Sequence, residues 1–227
     1  MYKALAFKEL RESAWIGGLI FIGLLVIVLD QIGGFSYWNL LFMSANSALP
    51  FHAHKIPFLH QELYYALAMI VPTGAVVLGF RQVLGESLHG TWLFLLHRPA
   101  PRRALILTKV AVGLVLLLVT SSLPVLLLAL WAAQPGHHAS PFLWGMTAQA
   151  FRLCFGATAI YLAACLSGLR PARWTGSRLL PLIPGLLAMA WVYITVWWPV
   201  FGWVAVFVLD AVYIVAILET ARSRDYP

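Results

Sequence analysis

Six apolar runs, each near the ~20 residues needed to cross a bilayer as a helix, recur along this chain between shorter polar stretches. The first runs from about Trp15 to Gly33, closing with Asp30 and Gln31. The second is Leu63 to Phe80, where Pro72 predicts a kink, and the third is Val110 to Trp131, with Pro124 inside. The fourth falls within Phe142 to Leu169, its first half interrupted by Gln149 and Arg152. The fifth covers about Leu179 to Trp198 and the sixth Val200 to Leu218, with little more than Pro199 between them. Residues 35–61 are too polar to span but rich in Trp, Tyr, Phe and Leu, as expected of a segment resting on the outer interface. No strand alternation, low-complexity run or clear internal repeat is present.

Ahead of the first span, residues 1–14 predict an amphipathic helix. At 100° per residue Tyr2, Ala6, Phe7, Leu10 and Ala14 share one face, and Lys8, Glu9, Arg11 and Glu12 share the other. Such a helix is expected to lie in the plane of the interface before the chain turns inward. Lys3 falls on the apolar side and is long enough to snorkel.

Six spans place both termini on one side, and the basic residues say which. Thirteen of the fifteen Lys and Arg lie in the N-terminus, in 81–109, in 170–178 and in the tail; Lys55 is on the opposite face and Arg152 within a span. The positive-inside rule makes the thirteen cytoplasmic. The expectation is a multi-pass plasma-membrane (cell inner membrane) protein with cytoplasmic termini. No small-residue cleavage site follows the first apolar run, so a removed signal peptide is not expected.

Composition agrees. With 62% hydrophobic and 10% charged residues and a mean hydropathy of +0.86, the chain exceeds what a soluble interior of this size can hide. One all-α domain covering 1–227 is expected, since no polar stretch is long enough for a second core. The +7 formal charge sits in short clusters between apolar runs, which argues for a membrane face and against nucleic acid. Cys154 and Cys165 are separated by about 16 Å of helix, too far for a bridge within the chain.

The most unusual stretch is Arg81 to Lys109. It carries Arg81, Glu86, Arg98, Arg102, Arg103 and Lys109, yet its middle, TWLFLL, is apolar. A helix at the membrane surface, a break at Pro99 and Pro101, and a basic anchor opening the third span account for that pattern.

The chain has no phosphate-cradling GxxxxGK[ST], HExxH, GxSxG or paired CxxC, so any work must be driven by a partner or a gradient. Glu86, Gly90-Thr91, Leu95-Leu96, Pro99, Pro101-Arg102-Arg103 and Lys109 resemble, in that order, the signature after the second span of ABC type-2 permeases, the membrane subunits of ATP-binding-cassette exporters. Lys8-Glu9-Leu10-Arg11-Glu12 before a Trp-led span resembles that family's elbow helix. The resemblance implies a coupling helix near Val83–Leu96, within a coupling region at 81–104, docking on a separate ATPase subunit that holds ATP and Mg. No cofactor is expected in this chain itself. Glu86 would face the ATPase or the elbow helix, and Gly90 would allow close approach beside Thr91 and Leu95. Arg102, Arg103 and Lys109 would set the depth of the third span at anionic headgroups. A second permease subunit, identical or not, would complete the path, and the chain itself would not be an enzyme. The family's longer outer segment between the last two spans has no counterpart here.

Two other groups invite chemistry. His52, His54, His60, His137 and His138 fall on the outer face with Glu62 near, yet no metal site is expected, because loops would have to gather the ligands. Asp210 and Arg152 are intramembrane charges, for which mutual pairing or a substrate or proton role are the alternatives. The rival functional classes are an intramembrane enzyme or metal-handling protein using the outer histidines and Asp210, and a non-transporting scaffold.

Overall fold

The computed structural model describes residues 2–32, 57–58, 61–88, 101–134, 141–170, 177–194 and 199–223. Six α-helices carry the architecture: α1 Tyr2–Gln31, α2 Gln61–Leu88, α3 Arg102–Ala132, α4 Ala148–Leu169, α5 Leu182–Ile194 and α6 Pro199–Ser223. Short 3-10 turns, Trp144–Thr147 and Ser177–Leu179, precede α4 and α5. No strand occurs among the described residues, and all six spans are long and apolar enough to cross a membrane. The fold is that of an all-α, multi-pass membrane protein.

α4 is the centre of the bundle. It packs most extensively on α2 and also touches α3, α5 and α6, while α1 closes against α2 and α3. Every residue from Gly156 to Leu169 is buried. The reason lies in side-chain size. In lipid no hydrophobic force drives helices together, so association depends on close van der Waals approach, which small residues permit. Ala159 and Ala163 give one small pair four residues apart, facing Gly185 of α5. Ala164 and Gly168 give another, facing α2. A Cβ on Gly79 would stand 2.7 Å from the Ala164 Cβ and 2.8 Å from the Tyr161 carbonyl oxygen. Only a bare Cα fits where those two backbones meet.

The outer helices bury narrow stripes. Buried positions on α1 are Leu5, Glu9, Ser13, Ile16, Gly17, Ile20, Leu24, Val28 and Gln31, a three-to-four spacing. On α6 the stripe thins to Gly202, Val206, Tyr213, Ile217 and Ala221. The remaining faces carry large exposed apolar side chains such as Leu19, Ile22, Phe207 and Val215, the pattern expected against acyl chains. Pro72 and Pro124 sit inside α2 and α3 without ending either helix.

The expected elbow is not a separate element. α1 runs unbroken from Tyr2 through Ala14 and Trp15, because no Pro interrupts it and Gly17 and Gly18 come only after the expected bend. Of the four residues expected on the polar face, only Glu9 turns into the bundle; Lys8 and Glu12 are half-buried and Arg11 is exposed. Phe7 is 70% exposed and Leu10 43%, while Glu9 is 2% exposed. Lipid takes the apolar face, and the bundle takes the acid.

Candidate functional site at the basic end of the bundle

Four helices converge at the end where Lys8, Arg11, Arg102, Arg103 and Arg178 cluster. Glu9 lies 21 residues before Asp30, about 32 Å along α1, against a hydrocarbon core about 30 Å thick. It therefore sits at the headgroup boundary. There its Oε1 meets Lys109 Nζ of α3 at 2.9 Å, with side-chain exposures of 2% and 6%. Burial withdraws both charges from water, and their mutual attraction offsets that desolvation only while both are present. Lys109 is thus held by α1 and turned away from the headgroups it was expected to reach, whereas Arg102 and Arg103 are exposed in the first turn of α3. The outward pair Lys8–Glu12, at 3.7 Å and more than a third exposed, contributes about 0.5 kcal/mol or less.

Beside the ion pair, α2 meets α4. The Tyr161 hydroxyl, fully buried, stands 2.5 Å from Gln82 Oε1 and 3.1 Å from the Val110 carbonyl oxygen. Gly113 makes the room: a Cβ there would collide with both the hydroxyl and the Gln82 oxygen. Tyr161 is also in electrostatic reach of Glu9, and Cys165 in reach of Lys109, so the acid, base, amide and phenol form one cluster. Arg178 closes this end. Its Nε donates to the Ser167 carbonyl and its Nη2 to the Gly168 carbonyl, both at 3.0 Å, satisfying the last carbonyls of α4 with a positive charge.

α2 does not stop at the membrane boundary. Gln82 lies 20 residues after Glu62, about 30 Å along the helix, and α2 continues past it to Leu88. The expected coupling segment therefore begins as the last turns of α2, with Glu86 in the final turn. Gly90, Thr91, Leu95 and Pro99 lie outside the described residues. All seven histidines do as well, including those weighed as metal ligands. Among the described residues no group of three His, Cys, Asp or Glu could hold a metal.

The opposite end is fastened differently. Gln31 Nε2 donates to Glu62 Oε2 at 3.3 Å, joining α1 to α2. Gln149 Nε2 reaches the Val192 and Tyr193 carbonyls at 3.4 and 3.3 Å, joining the start of α4 to the end of α5. Arg152 is buried here, its Nε 3.4 Å from the Ala148 carbonyl and the group in electrostatic reach of Tyr64. Asp210 instead meets Thr158, at 2.6 Å. The Arg152–Asp210 pairing is not formed, because Arg152 belongs to the first turns of α4 and Asp210 lies at mid-span.

Sequence reasoning did not single out Gln82, Tyr161 or Gly113. The available signal was a glutamine one turn before Glu86 and a tyrosine within an otherwise small-residue helix. No protein-family model matches this chain, and no curated protein and no solved structure matches it.

Proposed function

We propose that this chain is the membrane-spanning subunit of an ABC exporter, taking work from ATP hydrolysed, with Mg, on a separate ATPase subunit. In this reading it sits in the plasma membrane with both termini cytoplasmic. It pairs with a second permease subunit.

The observation that carries the reading is the unbroken passage of α2 from its span into the Arg81–Leu88 segment, where the permease-like signature begins. A helix that continues across the boundary moves as a rod, so a push on its cytoplasmic end tilts the span itself. Gln82 stands on that rod one turn before Glu86, and its bond to Tyr161 passes the displacement to the central helix. Through Lys109 the same cluster reaches α1. In this account Glu86, Gly90, Thr91, Leu95, Pro99, Arg102 and Arg103, taken in that sequence, supply the docking surface.

The test is co-purification. Tagged protein extracted gently should bring down an ATPase with a phosphate-binding loop, and its absence would remove the reading. Within such a complex, Glu86→Ala and Gly90→Trp should leave the amount of folded protein unchanged. Stimulation of ATP hydrolysis should fall by roughly 5- to 150-fold, the range of a coupling free energy of about 1–3 kcal/mol. Unaltered stimulation in both variants would mean that 81–104 is not the docking segment.

A further inference from the structure

Asp210 occupies the middle of α6, about 17 Å along the helix from Pro199 and about 20 Å from Ser223. An ionised carboxylate at that depth is costly and calls for a partner. Its Oδ2 lies 2.6 Å from Thr158 Oγ1 on α4. The same Oγ1 lies 2.7 Å from the Phe155 carbonyl oxygen of its own helix.

A threonine hydroxyl has one proton to give, whereas a backbone carbonyl and an ionised carboxylate can only accept. If Asp210 were charged, Thr158 could satisfy one of its two neighbours, and the other close contact would set two lone pairs against each other. Both contacts are hydrogen bonds at once only when Asp210 donates to Thr158 and Thr158 donates to Phe155. The remaining oxygen, Oδ1, is buried and accepts no hydrogen bond among the described residues. That suits the carbonyl of a neutral acid better than half of a carboxylate, which in a dry setting demands several donors.

We propose that Asp210 and Thr158 form a proton-binding site at the centre of the membrane, with Asp210 held as a neutral carboxylic acid in neutral solution. Among the described residues, no cation lies against it. Tyr213, one turn along α6, is in electrostatic reach of Asp210, and its own hydroxyl donates to the Pro181 carbonyl at 2.6 Å. On α4, Arg152 lies six residues before Thr158; on α3, Lys109 is taken by Glu9. α5 has no charged residue between Leu182 and Ile194. The site does not depend on the exporter reading.

Infrared spectroscopy of the full chain in lipid at neutral pH tests it. The wild type should show the C=O stretch of a protonated carboxyl group shielded from water, and Asp210→Asn should lose that band. Absence of the band from the wild type, or its survival in Asp210→Asn, overturns the proposal. Should Asp210→Asn fail to fold, Thr158→Val gives the second reading. Removing the acceptor should shift the band to higher frequency without abolishing it, and an unmoved band would break the proposed chain of donors.

Discussion

α4 and α6 are both membrane helices with one intramembrane charged residue each, yet the protein uses them in opposite ways. α4 is the less apolar, with a mean hydropathy of 1.5 over its best window against 2.1 for α6. It is nevertheless the buried one, with 89% of that window enclosed against 22%. In water the more apolar helix would be the core. In a bilayer the apolar surface is already in a good solvent, and the interior goes to the helix whose small residues allow approach and whose polar groups need partners. Gly156, Ala159, Ala163, Ala164 and Gly168 meet the first condition on α4; Tyr161, Thr158 and Gln149 meet the second.

Three substitutions bear on that contrast. Gly79→Leu strikes where α2 and α4 touch backbone to backbone, so neither helix can yield by turning a side chain. The expected cost is about 3 kcal/mol or more, or loss of folded protein, read by thermal unfolding in detergent. If Gly79→Leu melted like the wild type, α4 would not be the packed centre. Tyr161→Phe keeps the ring and removes only the hydroxyl, leaving Gln82 Oε1 buried without its donor. About 1–3 kcal/mol should be lost, and a double-mutant cycle with Gln82→Leu should recover much of it. Additive costs in that cycle would show that the two side chains act separately. Val208→Leu on α6 adds a methylene to a side chain 58% exposed toward lipid. Its effect should stay within about 0.5 kcal/mol; a larger one, appearing only at high protein concentration, would expose a second subunit on that face.

The sequence made the six spans legible because ~20-residue apolar runs bounded by charge have few other uses. The ends were less legible. α2 and α3 extend beyond their apolar runs, to Leu88 and back to Arg102, since polar residues such as Arg81, Gln82 and Thr108 continue a helix as readily as they end one. Which side of α1 packs inward was not legible, for a physical reason. A helical wheel separates apolar from polar residues but does not say which side water, lipid or protein will take. Only the arrival of Lys109 beside Glu9 decides it. The depth of Arg152 was similarly hidden, because the fourth run has no sharp start. The structure begins α4 at Ala148, directly after the 3-10 turn, which leaves Arg152 in the second turn and out of reach of Asp210.

The ion pair between α1 and α3 also constrains how the chain is made. Glu9 leaves the ribosome one hundred residues before its basic partner, a delay of about 5–20 s at ordinary rates of synthesis. During that interval the acid must keep its hydration, which its place near the headgroups allows. A nascent chain arrested before Lys109 should accordingly leave Glu9→Cys open to a water-borne thiol reagent, and one arrested well beyond α3 should shield it.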